Sequence, residues 1–404
     1  MSATCRAALK WLFGLQSRGV KLGLDNVRAL LGGLGHPEAG LRCVHVAGTN
    51  GKGSVCAMAA AVTRAAGVRT GLFTSPHLVR FNERIEVDGV PISDDEIVDG
   101  LSTIRSQVEV HPATFFEITT ALAFWHFQRR QVDLAVLETG LGGRLDATNV
   151  VQRPLGSVIT AIDLDHQSIL GQTRVEIARE KAGIIKPGVP VVSGPQVAEV
   201  AAVLRQIAGE QHASLSFVSK PVAGYEVGLF GSHQRLNAAI ALAGLSAAGF
   251  DLPETAVRRG LRDVSWPGRF QMVRPGLVID GAHNPAASRR LAATWQEYRP
   301  QERPLVIFGG LRDKALSEMV AALGDIAAEF FLVPVNNARA ADPGQLASSL
   351  PPGIPHRAFG SVADALRAAE GRRNEVLVTG SLFLVGEVLA ILEGPGGRQE
   401  RSEQ

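Results

Sequence analysis

The sequence predicts an α/β fold: a mostly parallel-sheet, P-loop-containing domain over residues 1–267, followed by a smaller Rossmann-like α/β domain over residues 268–404. Three observations carry that expectation. Short apolar runs alternate with helical patterns along nearly the whole chain, which is the rhythm of parallel strands joined by helical crossovers. One of those runs ends in the glycine-rich stretch "AGTNGKGS". Finally, "SWPGRF", with Pro267 and Gly268, interrupts a helical region before the rhythm restarts, and the domain boundary is placed there.

In chain order, "RCVHVAG" reads as a strand and "SVCAMAAAVTRAAG" as a helix closed by Gly67. "VRTGLFTSP" is the next strand, and "SDDEIVDGLSTI" is a helix in which Ser93 and Glu96 have capping-box spacing. Helix "TFFEITTALAFWHFQRR", strands "VDLAVLE" and "LGSVITAI", helix "TRVEIAREKAG" and strand "VPVVSG" follow. "SHQRLNAAIALAGLSAAG" and "PETAVRRGLRDV" are helical; beyond the boundary the strands are "GLVIDGAHNP", "RPLVIFGG", "EFFLVPV" and "NEVLVTGS". The polar, glycine-rich tail "GPGGRQERSEQ" is expected to fray.

At 404 residues the chain exceeds what one hydrophobic core usually supports, so two domains are expected. With 46% hydrophobic and 20% charged residues, the 41 basic and 39 acidic side chains are interspersed and leave a net charge of +2. No basic tract argues for nucleic acid or a membrane, so an anionic ligand must be caught by local groups. Cys5, Cys43 and Cys56 are odd in number and lack CxxC spacing, which argues against a disulfide framework or a zinc site. No leader-like segment or bilayer-length apolar stretch is seen, and a cytoplasmic location is expected.

In the glycine loop, Gly48, Gly51 and Gly53 let backbone N–H groups approach phosphate oxygens, the following helix presents its positive end, and Lys52 adds a mobile cation. The stretch departs from GxxxxGK[ST], since two residues separate Gly48 from Gly51 and a glycine stands between Lys52 and Ser54. A strand-to-helix turn with a surface lysine is the competing reading. A triphosphate needs magnesium, and magnesium needs hard ligands at strand ends. Glu138 closes "VDLAVLE", His166 follows the next strand and Ser75 follows "GLFTS". Each alone serves equally well as a cap or loop residue; their joint arrival on successive strand ends beside the loop favours a site.

"HVAGTNGKGS", "FTSPHLVRFNERI", "LETGLGGRLDATN", "LDHQSILG", "REKAGIIK", "HQRLNAAIA", "WPGRF", "IDGAHNP" and "VTGS" occur in that order. With them the chain resembles the folylpolyglutamate synthase and dihydrofolate synthase family of the Mur-ligase superfamily, and in "SPHL", "GGRLDATN" and "PGRFQ" its bifunctional bacterial kind. The resemblance implies ATP-dependent ligation of L-glutamate to 7,8-dihydropteroate, to the γ-carboxylate of tetrahydrofolate polyglutamates, or to both. An acyl phosphate is the implied intermediate, with ADP and phosphate released.

Carried over by position, the resemblance makes Gly48, Thr49, Asn50, Gly51, Lys52, Gly53 and Ser54 the phosphate cradle, and Asn237, Arg269 and Asp280 further ATP contacts. Ser75, Glu138 and His166 hold two Mg²⁺ ions, with K⁺ as a further ion. Lys52, Lys181 and His283 are the implied catalytic groups, Lys181 as N6-carboxylysine. Thr114, Phe115, Phe116, Glu117, Leu145, Asp146 and Ala147 are the implied pteroate or folate contacts, and the second domain binds glutamate and completes the ATP site.

Plainer readings stand beside these. Lys181 in a last helical turn suits the helix dipole, Phe115 and Phe116 suit a core, and Asp146 suits a loop cap. Two departures from the family pattern matter. The segment from Ser214 to Gly231 is short, leaving the strand count there open, and Lys21 stands where bifunctional relatives can carry an acid near the pterin. The rivals are another Mur-type amino-acid ligase and a non-catalytic nucleotide-binding regulator. The expected partners are small molecules, with no nucleic acid and no membrane, and the expected state is a monomer.

Overall fold

The protein is described by a computed structural model covering residues 2–19, 23–394 and 399–400, so Lys21 lies outside the described residues. Two sheets organise it. The first contains β1 (Cys43–Ala47), β2 (Thr70–Phe73), β3 (Ile85–Val87), β4 (Val90–Pro91), β5 (Leu134–Glu138), β6 (Gly156–Ile159), β7 (Val191–Ser193) and β8 (Leu215–Phe217), in the order β4-β3-β2-β5-β1-β6-β7-β8. In that order the pairings from β2 through β5, β1, β6 and β7 to β8 are parallel, and the β2–β3 and β3–β4 pairs run antiparallel. β8 settles the strand count that the short segment left open.

The second sheet contains β9 (Gln271–Arg274), β10 (Leu277–Ile279), β11 (Leu305–Phe308), β12 (Glu329–Leu332), β13 (His356–Ala358) and β14 (Val376–Thr379), in the order β13-β12-β11-β14-β10-β9. It is parallel except for the β9–β10 pair. An α/β fold with two mostly parallel sheets is therefore what the alternation predicted. The apolar strands β1, β2, β5, β6, β10, β11 and β14 are buried at every residue, because helices cover both faces. The outer strands β4 and β13 are exposed throughout, and Pro91 sits on an edge where its missing N–H costs nothing.

The helix Lys52–Ala65 is buried on almost every side, with the sheet on one face and the helices Ser232–Ala247 and Glu254–Asp263 packed against it. That burial explains why "SVCAMAAAVTRA" is apolar all round. The Ser93 and Glu96 capping box forms as spaced. The three cysteines are free and buried. Among the described residues no helix is long and apolar enough to cross a membrane.

The tail is ordered where it is described, which corrects the expected fraying at Gln399 and Glu400. Gln399 Nε2 donates to Leu78 O and Phe383 O, both at 3.0 Å. Glu400 N donates to Val79 O at 2.8 Å, and its carboxylate accepts from Phe81 N at 2.8 Å. A polar sequence frays only when its donors and acceptors find no better partner than water.

Candidate active site

β2, β5, β1 and β6 are consecutive in the first sheet and parallel, so their C-terminal ends open on one crevice. Ser75 follows β2, Glu138 ends β5, the glycine loop follows β1, and His166 lies seven residues beyond the end of β6. From the second sheet, Asp280 follows β10, with His283 in the turn before the helix Pro285–Tyr298. Gly51, Lys52, Ser54, Ser75, Glu138, His166, Lys181, Asn237, Arg269, Asp280 and His283 line one cleft of about 220 Å³.

The loop does not offer its amides uniformly. Thr49 N and Asn50 N both donate to Ala161 O, at 2.8 and 3.2 Å, and their side chains are engaged too, Thr49 Oγ1 donating to Asp163 O at 3.0 Å and Asn50 Nδ2 to Asn284 Oδ1 at 3.3 Å. The open amides belong instead to Lys52, Gly53 and Ser54, at the start of the helix where no intrahelical acceptor exists. Gly51 turns the chain into that helix in the left-handed region, φ 90°, and Asn237 Oδ1 would lie 3.0 Å from a Cβ placed there.

Glu138 is buried, with Oε2 accepting from Ser75 N at 3.2 Å and Oε1 lying 3.8 Å from Lys52 Nζ. Burial pushes its pKa up, opposed by Lys52, the Ser75 amide and Arg269. A second cation would stabilise this carboxylate. Among the described residues no three His, Cys, Asp or Glu side chains cluster into a metal site. Magnesium takes one or two protein groups and completes its shell with phosphate and water. Ser75, Glu138 and His166 fit that need. His166 is held in the left-handed region, φ 51° and ψ 38°, with its amide on Asp165 Oδ1 at 2.9 Å. Burial and the Lys314 charge outweigh Asp165 and lower its pKa to about 3, leaving a neutral, metal-competent imidazole.

Lys181 is not a solvated helix-end lysine. Its side chain is buried and Nζ donates to Gly48 O at 2.9 Å. Burial, reinforced by Lys52, lowers its pKa to about 7. Its helix, Arg174–Ala182, is gripped by the 141–150 loop: a Cβ on Gly143 would lie 2.7 Å from Lys181 O and 2.8 Å from Glu180 O. Both are backbone atoms that cannot swing away. Gly143→Ala should therefore destabilise the fold by about 1–3 kcal/mol, seen as a lower Tm, whereas an unchanged Tm would mean that the two segments separate freely.

Asp280 accepts from Phe270 N at 2.8 Å and Ala282 N at 2.9 Å, and burial raises its pKa against Arg269. His283 Nδ1 donates to Gly281 O at 2.8 Å, and Nε2 stands 3.7 Å from Asp165 Oδ2. Three residues of this seam escape the sequence analysis. Asn284 bonds reciprocally with Asn50, at 3.1 and 3.3 Å, and donates to Asp165 Oδ2 at 3.0 Å. Lys314 pairs with Asp165 Oδ1. Burial alone would raise the Asp165 pKa, but Lys314, His166 and His283 hold it well below the usual carboxylate range. Asn before Pro285 is a legible helix cap; nothing local marks Lys314.

A second cavity of about 560 Å³ lies beside the first, walled by Pro76, Leu78, Val79, Trp266, Met272 and Leu389 among others. The two meet at Gly53, Ser75, Glu138, Arg269 and Leu382, which line both. Thr114, Phe115, Phe116, Glu117, Leu145, Asp146 and Ala147 line neither. Thr114 and Glu117 form the capping box of the helix Phe115–Arg129. Phe115 stacks on Phe13 with centroids 5.8 Å apart, beneath the Arg84 guanidinium, while Phe116 packs on Phe73 at 5.9 Å. Asp146 accepts from Leu141 N, Thr148 N and the Thr148 hydroxyl.

Residues 268–382 match the Mur ligase, glutamate ligase domain family. The chain is 36% identical to the dihydrofolate synthase/folylpolyglutamate synthase of Bacillus subtilis (strain 168), across 94% of this chain and 97% of that protein. It is similar to the structure of E. coli FolC in complex with DHPP and ADP, with a TM-score of 0.88, 33% identity, and 96% and 97% of the two chains covered. It is likewise similar to a bifunctional folylpolyglutamate synthase/dihydrofolate synthase from Yersinia pestis complexed with AMPPNP and Mn ion, at a TM-score of 0.87, 34% identity, and 96% and 98% coverage. A likeness of this extent, over nearly the whole of both chains, places the chain in the dihydrofolate synthase/folylpolyglutamate synthase family.

Proposed function

We propose that the protein is an ATP-dependent amide ligase joining L-glutamate to 7,8-dihydropteroate, to the γ-carboxylate of a reduced folate, or to both, as a cytoplasmic monomer. Residues 1–267 bind ATP and the acceptor in this reading, and residues 268–404 bind glutamate and complete the ATP site. The observation that carries it is the meeting of two cavities at Glu138, Ser75 and Arg269. A triphosphate in one and an acceptor carboxylate approaching from its neighbour would come together there.

The chemistry asks two anions to meet. The acceptor carboxylate attacks the γ-phosphorus and ADP leaves; the glutamate amine then attacks the acyl carbon, and phosphate departs from the tetrahedral intermediate as the amine proton is lost. Lys52 and the amides of residues 52–54 offset the charge on the transferring phosphoryl group. Magnesium held by Ser75, Glu138 and His166 supplies further charge neutralisation when bound. Asn237, Arg269 and Asp280 hold the nucleotide, and His283 contacts the transferred phosphate.

Lys181 is proposed as N6-carboxylysine, because addition of CO₂ needs a neutral amine and a pKa of about 7 provides one. Thr114, Phe115, Phe116, Glu117, Leu145, Asp146 and Ala147 are proposed on the pterin side. The test is ADP release with ATP, L-glutamate and either dihydropteroate or tetrahydrofolate. At least one acceptor should raise release well above the ATP-only rate, and hydroxylamine should trap the acyl phosphate. Stimulation by neither acceptor overturns the proposal.

A further inference from the structure

Leu78 and Val79 of the first domain line the larger cavity, and so do Leu382, Leu389 and Leu392 of the helix Leu382–Leu392 in the second. The two segments touch closely enough that a Cβ on Gly386 would collide with Leu78 O. The polar groups of residues 78–81 can be accounted for one at a time. The Glu83 carboxylate accepts from Leu78 N at 2.7 Å, Val79 N at 3.0 Å and Arg80 N at 2.6 Å. A carboxylate has no proton to give the carbonyls of Leu78 and Val79.

The C-terminal tail supplies what Glu83 does not. Gln399 Nε2 donates to Leu78 O, Glu400 N donates to Val79 O, and the Glu400 carboxylate accepts from Phe81 N. The same Gln399 amide also donates to Phe383 O, in the first turn of the helix Leu382–Leu392. The chain therefore leaves that helix, doubles back to its start and there joins the two domains. Its anchor is firm, since the Phe81 ring is wholly buried against Phe13, His77 and Phe115. A further tie, Arg80 Nη2 to Glu393 Oε2 at 3.5 Å, is exposed and weakened by solvent.

We infer that Gln399 and Glu400 are positioning residues for the acceptor: docked on residues 78–81 and on Phe383, they hold the Leu78 and Val79 wall of the larger cavity in register with the second domain. This inference rests on the reading of the larger cavity as the acceptor side. Leu78 and Val79 line that cavity and not the nucleotide cleft, so a loosened wall weakens acceptor binding and spares ATP. When a site binds only while its wall is docked, the apparent affinity falls with the docked fraction.

The experiment compares wild type, Glu400→Ala, Glu400→Gln and Gln399→Ala/Glu400→Ala in the full chain. It measures KM for 7,8-dihydropteroate and for tetrahydrofolate, KM for ATP, kcat, and amide hydrogen exchange across residues 78–84 without ligands. Glu400→Ala should raise the acceptor KM at least about threefold and up to about tenfold, the span expected for one hydrogen bond to a charged group. ATP KM and kcat should stay near wild type, and exchange at residues 78–84 should quicken. Glu400→Gln keeps an oxygen for Phe81 N–H and should restore most of the loss. The double variant should exceed Glu400→Ala, because both Gln399 bonds go with it.

If neither acceptor stimulates ADP release by wild type, the functional reading fails and the inference falls with it. Stimulation of wild type with an unchanged acceptor KM in the double variant overturns the inference alone, whatever the exchange shows. Equal rises in acceptor and ATP KM with a lower Tm and no rescue by glutamine would make the tail a general stabiliser and overturn the positioning role.

Discussion

Lys52→Ala should lower kcat for glutamate ligation by about 10²–10³-fold, the cost of removing one preorganised electrostatic group from a charged transition state. Lys52 begins the helix that opens on the cleft, and its side chain is only 14% exposed, with Nζ 3.8 Å from Glu138 Oε1. The substitution does two things at once. It removes the mobile cation from the path of the phosphoryl group, and it strips Glu138 of its nearest counter-charge. Glu138 already has its pKa raised by burial, and Lys52 is the largest influence holding it down. Without that influence the carboxyl takes up a proton more readily, and a protonated carboxyl is a poor magnesium ligand. The half-saturating Mg²⁺ concentration should therefore rise together with the fall in kcat. Lys52→Arg should not rescue, since a planar guanidinium cannot take the place of a compact ammonium in so enclosed a space. Steady-state ADP release across a Mg²⁺ titration decides it; a kcat within threefold of wild type would mean that the lysine is only a neighbour of the loop.

The first sheet and the strand-end residues were legible because their signal is local. An apolar run of five residues ending in Glu138 states both that the strand is buried and that its last side chain meets the crevice. The β3–β4 hairpin escaped the sequence analysis, although Asp88-Gly89 at its turn, with φ values of 54° and 78°, is the pair a tight hairpin turn favours. The seam is a different matter. Asn50, Asp165, Asn284 and Lys314 are brought together by two separate sheets, so no window of sequence contains their relation. The same holds for Glu400 and Gln399, whose partners Phe81 and Leu78 lie 319 and 321 residues away and whose place in a polar tail reads as a frayed end. The loop amides illustrate a third limit. Glycine spacing announces that the backbone can approach a phosphate, but which amides remain free depends on Ala161, carried in by the neighbouring strand's loop.

Lys181→Ala should abolish most turnover, by at least about 10²-fold, and short carboxylates added to the assay should restore part of it. The physical ground is the state of the amine. At pH 8 an amine with a pKa of about 7 is roughly nine-tenths neutral, against well under one-hundredth for an ordinary lysine. Only the neutral form adds CO₂. A carbamate would keep one N–H, so the bond to Gly48 O at 2.9 Å could survive while two oxygens are added to the side chain. A carbamate would replace a largely neutral amine beside Lys52 with an anion, which attracts magnesium. The sign of the pH dependence follows. As pH falls through about 7 the amine protonates, so enzyme stripped of CO₂ should recover on adding bicarbonate at pH 8 and recover far less at pH 6. Lys181→Arg, always protonated, should stay inactive with or without bicarbonate. Wild-type turnover by Lys181→Ala in the absence of any added carboxylate would remove the carbamate and leave Lys181 as a buried tie to the glycine loop.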